Sequence, residues 1–439
     1  MSFTTKFSTK QIIIIAGAGL LVVSLVVLIV RNIRTTGPGG PVFTLKIWGF
    51  DERAAIESAL SSYKNSHPLI TLEYTRFDPQ NYQSALVNAL ASGEGPDIFY
   101  LSNRELPRSK KRLSPLTVAE FPDFGLARFR ELFPEAPERD FVVGQEIYAL
   151  PLYLDTLALI YNKDLFDQAG ITSPPKTWFE FQAAVAKLRA ISPQGQIVRA
   201  AAAMGGTEKT VDAGVDLLNL LMLQNGAKMI NEGGNNASFA ADERENRGGH
   251  SAFNFYLQFA NAGSPYYTWN DAQLNSLDSF ASGKTAMIFN YQSAVRTIKN
   301  KSPFLNFGVA GAPQSAPEAA VNYPRYYGLA VSKQSKNISW AWDFILHLTT
   351  DIENGRMYSE ASGRPPALRP LIEESFNSPA LGVFAKQALT ARSWYEADDV
   401  EIQKIFNTAI RNVLTGQASA DVALAQAQEQ VSQLMRSGL

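Results

Sequence analysis

The chain opens with an unbroken apolar run of 19 residues, 12–30 (IIIIAGAGLLVVSLVVLIV), and then changes character. At about 1.5 Å per residue the run makes a helix of roughly 28 Å, close to the hydrocarbon thickness of a bilayer. Beyond it, strand-like and helix-like periods alternate. Residues 43–48 read as a strand ending at Gly49, and 52–65 have helical spacing with Ala55, Ile56, Ala59, Leu60 and Tyr63 on one face. His67-Pro68 stops that helix, 70–74 alternate as a second strand, 82–91 are helical again, and 97–100 form a third strand after a Gly-Pro turn. This order predicts a parallel sheet, whose ligands gather at the carboxyl ends of its strands, here 48–51 and 100–103.

Further along, 157–162 read as a strand. Thr177 with Glu180 predicts a capped helix start leading into 181–190, and 211–225 form a long, mostly buried helix. Residues 231–249 are polar and glycine-rich, a surface loop. A turn at 280–285 leads into a buried strand, and helices are predicted at 340–348 and 418–435. The apolar run is longer than the core of a signal peptide and no small-x-small cleavage pattern follows Val30, so it reads as an uncleaved anchor. Residues 31–41, containing TTGPGGP, read as a flexible linker to the folded body.

Composition narrows the function. Charged residues are 18% and aromatics 11%, and the formal net charge is −1, without the basic excess of a nucleic-acid binder. The absence of cysteine excludes disulfide frameworks, thiolate metal sites and a lipid-modified cysteine anchor. The three histidines, His67, His250 and His347, lie far apart, so no metal site is expected, and no motif calls for a cofactor. About 400 residues beyond the anchor suit two α/β domains.

Several landmarks together resemble the extracellular solute-binding proteins of ABC importers, in the maltose-binding-protein-like family. They are Lys46-Ile47-Trp48-Gly49, Gly95-Pro96-Asp97-Ile98, and Tyr148-Ala149-Leu150-Pro151 running on through Asp155 to Asn162-Lys163-Asp164-Leu165-Phe166. Pro174-Pro175-Lys176-Thr177-Trp178, the segment from Phe280-Ala281-Ser282-Gly283-Lys284 to Met287, Gly328-Leu329-Ala330-Val331-Ser332-Lys333, and the tail with Ser393-Trp394-Tyr395 and Leu414-Thr415-Gly416 follow in order. The resemblance covers 43–436. It implies a two-lobed α/β clamp with an interlobe cleft and discontinuous lobes. Lobe 1 would comprise 42–152 and 311–358, and lobe 2 would comprise 153–310 and 359–439. The chain would cross between them near 151–156, 308–311 and 359–366. A short flank (1–11), the anchor (12–30) and the linker (31–41) would precede them.

The resemblance also implies no catalysis. The expected function is capture of a sugar or oligosaccharide and delivery to ABC permease subunits from the outer face of the cell membrane. A ligand-sensing receptor or a binder of a non-sugar solute would use the same clamp. An anchored glycoside hydrolase is a weaker reading, because no carboxylate pair stands out. Sugar recognition needs flat apolar faces and groups that form several hydrogen bonds. The candidates are Trp48 and Asp51 after the first strand and Asn103 and Arg104 after the third. Tyr153 and Asp155 lie at the first crossing, and Asn290 and Tyr291 end a strand of the second lobe. Tyr326 and Tyr327 form a prospective stacking wall, with Trp394 and Tyr395 as an aromatic pair and Trp269 as an addition. This set is aromatic and acidic without a basic cluster, which disfavours phosphate as the ligand.

Overall fold

The strand Phe43–Gly49 pairs in parallel with Ile70–Arg76 along its whole length and with Ile98–Ser102 at its far end. Between these strands, the helix Arg53–Ser66 buries the stripe Ala55, Ile56, Ala59, Leu60 and Tyr63 and stops at His67, ahead of Pro68. The helix Pro79–Ser92 begins where the Asp78 carboxylate accepts the Gln80 N–H, and it ends at Gly93, whose φ of 78° only glycine adopts without strain. These elements belong to a computed structural model that describes residues 43–241 and 247–437. The expected flank, anchor and linker (1–41) lie outside the described residues. Among those described, no helix is long and apolar enough to cross a membrane.

In the first sheet the parallel order holds for these three strands alone. Tyr327–Ser332, from far down the chain, lies antiparallel to Ile98–Ser102 and carries Ala149–Pro151 and Leu113–Ser114. A second sheet runs Phe307–Ala310, Ala158–Asn162, Thr285–Asn290, Ile197–Ala202 and Ala190–Ile191, mostly antiparallel. Ala158–Asn162 is apolar on consecutive positions because both of its faces are covered. Leu159 points into a core with Phe181, Leu220 and Phe406, and Ile160 into one with Trp269, Phe280 and Ile288. The first sheet has its own core, containing Leu45, Ile98, Phe141 and Trp342.

Three segments join the two bodies. The chain leaves the first sheet after Pro151 and enters the second at Ala158. Beside it runs a return segment. The Leu152 N–H donates to the Tyr327 carbonyl, Arg325 N–H to Asp155, and Leu157 N–H to Tyr323. A third segment touches at Leu154, whose N–H donates to the Pro365 carbonyl.

Two expected boundaries move. Residues 308–311 are not a crossing, since Phe307–Ala310 pairs residue for residue with Ala158–Asn162. Gly308 is required there because the Tyr161 ring occupies the place of a Cβ, 2.6 Å away. The chain then stays with the second body through Ala312 and Tyr323, both in its core, and crosses at 323–327. The segment from 359 does not pass wholly to the second lobe either. Ala367, Leu368, Leu371, Ile372 and Ala391 pack in the first core, Phe384 packs in the second, and the passage is complete only at Trp394. Burial of these apolar faces against whichever sheet lies nearest decides the boundary.

Gly328 marks where the crossing strand enters the first sheet. A Cβ there would lie 2.7 Å from the Leu150 carbonyl oxygen and 2.7 Å from the buried Phe141 ring. Gly328→Ala is therefore expected to cost about 1–3 kcal/mol, as overpacking does. Urea unfolding followed by circular dichroism reads this as a lower midpoint, and an unchanged midpoint would contradict the packing described.

Candidate functional site

The segment 323–327 is extended, so successive side chains point to opposite sides. Tyr323, Arg325 and Tyr327 face one side. The Tyr323 ring lies 4.9 Å from the Arg104 guanidinium carbon, Arg325 lies by Asp216 and Tyr291, and Tyr327 packs edge-on at 4.7 Å against Phe50. Tyr326 points the other way, fully buried, and donates to the Asp140 carboxylate at 2.6 Å. Tyr326 and Tyr327 thus form no common wall. Tyr153, on the antiparallel partner strand, stands 6.4 Å from the Tyr327 ring and under the Arg364 guanidinium at 4.3 Å.

Arg104 ties the two bodies together. It follows the third strand of the first sheet, and its side chain is only 3% exposed. Its guanidinium meets Asp216 at 3.0 Å, Asp399 at 3.2 Å and Glu396 at 3.6 Å, all from the second body. Asp216 also accepts from the Tyr291 hydroxyl at 2.7 Å and the Gln403 amide at 3.1 Å. Glu396 accepts from the Tyr323 hydroxyl at 2.6 Å, and Asn219 donates to that hydroxyl. A second buried pair lies in the first body. Asp51 accepts from Arg364 at 2.6 and 2.9 Å and from the Tyr358 hydroxyl at 2.6 Å, so it does not cap the neighbouring helix.

The other candidates divide. Asp155 accepts backbone N–H groups of Thr156 and of Gln292, where the helix Gln292–Lys301 begins, and so meets the orphan donors of a helix start. Trp48 is partly exposed and packs at a tilt against Phe77, ring centroids 4.5 Å apart. Asn290 is partly buried, and its side-chain oxygen accepts the Tyr291 N–H. Asn103 is a structural bridge, bonding Asp140 and the Tyr326 N–H. Trp269 is 0% exposed in the second body's core, where its indole donates to Thr210, so the cleft does not reach it. Trp394 is likewise in that core. Tyr395 is 41% exposed and lines, with Arg139, Lys228 and Arg392, a pocket of about 490 Å³. That pocket lies on the Tyr326 side of the crossing strand, because Ser393 in its wall hydrogen-bonds Asp140. Trp394 and Tyr395 therefore belong to the back of the junction.

Sequence reading missed Arg325, Arg364, Asp216 and Glu396. A signal existed for Asp216, the one carboxylate in the mostly apolar stretch 214–223 of a buried helix. The Tyr-x-Arg-x-Tyr alternation of 323–327 was another.

Burial dominates the titration of these acids. It pushes Glu396 up to about 8, Asp155 up to about 7 and Asp140 up to about 6. Burial would also raise Asp216, but Arg104 and Arg325 outweigh it and hold that carboxyl below its ordinary value. A carboxyl with a raised native pKa binds its proton more tightly folded than unfolded. Its contribution is fully present below the unfolded pKa and is lost as pH rises through the folded one. Thermal stability is therefore expected to fall between about pH 4 and pH 8. Glu396→Gln should flatten the upper part of that slope in a melting series, and an unchanged slope would count against the assignment. Arg104→Met strands Asp216 and should cost about 3–5 kcal/mol. The double variant with Asp216→Asn should recover much of that loss in a double-mutant cycle.

With the geometry in place, comparison with known proteins identifies the frame. The sequence model described as "Bacterial extracellular solute-binding protein" matches residues 50–354. A binding protein of Brucella abortus (strain 2308) is 25% identical over 293 residues, 65% of this chain, and the match spans just under two thirds (66%) of that relative's length. The multiple sugar-binding protein of Streptococcus mutans is 23% identical over 375 residues, covering 82% of this chain and 83% of its own. The solved structure of the sugar-binding protein MalE from Xanthomonas citri superposes with a TM-score of 0.74 at 20% identity. That superposition covers 90% of this chain and 98% of the other, and it shows the two-lobed α/β fold. With 50–354 matched and the fold shared over 90% of its length, the chain belongs to the bacterial extracellular solute-binding proteins.

Proposed function

We propose that this protein captures a sugar or oligosaccharide between its two bodies and delivers it to the permease of an ABC importer. Residues 12–30 would hold it at the outer face of the cell membrane. The observation that carries the reading is the surface formed where the three segments cross. Tyr327 is partly exposed there beside Arg325, Gln292 and Asn290, Tyr153 lies beneath the Arg364 guanidinium, and Trp48 is partly exposed at the end of the first strand. Among the described residues, the Trp48 indole N–H, the Tyr153 and Tyr327 hydroxyls, and the Gln292 and Asn290 side-chain N–H groups have no protein acceptor. Flat apolar faces ringed by free hydrogen-bonding tips suit a pyranose, which offers C–H surface on its faces and hydroxyls at its rim.

The relatives support this choice of ligand. Besides the multiple sugar-binding protein, they include a mannitol-binding protein of Pseudomonas aeruginosa and a galactooligosaccharide-binding protein of Bacillus subtilis. A ligand that touches both bodies favours the arrangement in which they meet, and a permease can read that arrangement. Tethering by 12–30 would raise the local concentration of the receptor at its transporter. No chemistry is required of the site.

A thermal-shift screen of the full-length chain against mono- and oligosaccharides and polyols tests the proposal. A ligand at a hundred times its Kd should stabilise the protein by about 2.7 kcal/mol. Trp48→Ala and Tyr327→Ala should each weaken that ligand by at least about tenfold, because a stacking face is lost. Trp394→Ala, on the back of the junction, should lower the melting temperature without changing affinity. A panel that produces no shift at all would sink the sugar reading.

A further inference from the structure

Hydroxyl groups of a neutral sugar are bound well where carboxylates wait as acceptors. In this site the carboxylates are buried or already engaged. Glu396 keeps one oxygen unpaired among the described residues, but it is out of reach of solvent, and Asp399, 20% exposed, gives one oxygen to Arg104. Asp51 holds Arg364 and the Tyr358 hydroxyl. Asp216 holds Arg104, Tyr291 and Gln403, and Asp399 shares Arg104. Glu396 holds Tyr323, and Asp155 serves the start of the helix Gln292–Lys301. Asp51, Asp155, Asp216 and Glu396 are each at most 6% exposed.

What remains without a hydrogen-bond partner among the described residues is a set of donors. Chief among them is Arg325. Its side chain is 52% exposed and makes no hydrogen bond among the described residues. Its nearest carboxylate oxygen, on Asp216, is 3.9 Å away and already engaged by Tyr291. Its backbone N–H is pinned to the Asp155 carbonyl, so the side chain starts from a fixed point on the floor of the crossing. The Tyr291 ring lies 5.9 Å away on the second body, and Tyr327, two positions along the same strand face, carries a free hydroxyl. A guanidinium offers five N–H donors and no acceptor, in a planar fork that matches two oxygens of one anionic group.

We infer that the solute carries an anionic group, a carboxylate or a phosphoryl group on its sugar or polyol, and that Arg325 is the residue that selects it. This rests on the sugar-binding reading and narrows it to acidic members of that class. The neighbouring hydroxyls of Tyr153 and Tyr327 add further donors to the same group, while Trp48 keeps the apolar face of the ring. An anionic solute runs against the expectation that an acidic site disfavours anions. The acids are present, but buried arginines and helix N–H groups neutralise or saturate them.

The test is calorimetric titration of the full-length chain with matched triplets of glucose, glucuronate and glucose 1-phosphate, and of galactose, galacturonate and galactose 1-phosphate. The same triplets are run with digalactose and digalacturonate added for length. An acidic member should bind at least about tenfold more tightly than its neutral parent, as one charge-assisted hydrogen-bond pair allows, and its affinity should fall with added salt. The carboxylate and phosphate arms distinguish the two sources of charge. Arg325→Gln should erase the preference while the neutral parents still bind, and Arg325→Lys should retain part of it. Equal or tighter binding of the neutral parents overturns the inference and leaves the sugar reading standing. So does an acid preference that survives Arg325→Gln. If no member of any set binds, the sugar reading falls and the inference falls with it.

Discussion

Arg104 is a full positive charge withdrawn from water, and such a charge is tolerated only where opposite charge and hydrogen-bond acceptors surround it. The second body surrounds it with the Asp216 and Asp399 carboxylates and with Glu396, whose pKa burial pushes up to about 8, and the Tyr323 ring lies beneath. Everything near the seam follows from meeting that requirement. Tyr291 and Gln403 orient Asp216, Tyr323 and Asn219 orient Glu396, and the helix Gly214–Gln224 must present a carboxylate from an apolar face. In a low-dielectric seam these contacts are strong when complete and costly when broken. The contact is therefore a register point that fixes how the two bodies face one another.

The crossing strands convert that register into two distinct surfaces. Because side chains alternate along 323–327, one face carries Tyr323, Arg325 and Tyr327 toward the seam. The other carries Tyr326 to Asp140 and the pocket beside Tyr395. Segments that pass between domains absorb the dihedral changes of opening and closing. A ligand seated on Tyr153, Arg325 and Tyr327 would sit on the axis of such a motion. Small differential contacts there shift the balance between arrangements, by an amount set by the ligand's preference for one of them. The cost of ordering is low, since the aromatic side chains are already packed against Phe50, Phe77 and Arg364.

Much of the local structure was legible in the sequence. The stripe Ala55, Ile56, Ala59, Leu60 and Tyr63 announced its helix, and Thr177 does accept the Glu180 N–H at the next. Apolar periodicity is enforced by burial within a few residues, so it leaves a local trace. The family pattern from Lys46 onward was legible for the same reason, as short strings held by turns and strands. The crossing at 323–327 was misplaced, because the resemblance put a crossing at 308–311, where Gly308 instead makes room for Tyr161.

The site was harder still. An aspartate or tryptophan in a sequence is a type of chemistry, and its availability depends on partners that may be hundreds of positions away. Asp51 meets Arg364 and Tyr358, Arg104 meets Asp216 and Asp399, and Trp269 disappears into a core. The sequence by itself determined the α/β elements, the two-body organisation and the family, all of which rest on local burial and turn chemistry. Only the tertiary structure decided which strands cross, which acids are buried or engaged and which arginine stays exposed. Those outcomes depend on long-range pairing of charges in places from which water has been excluded.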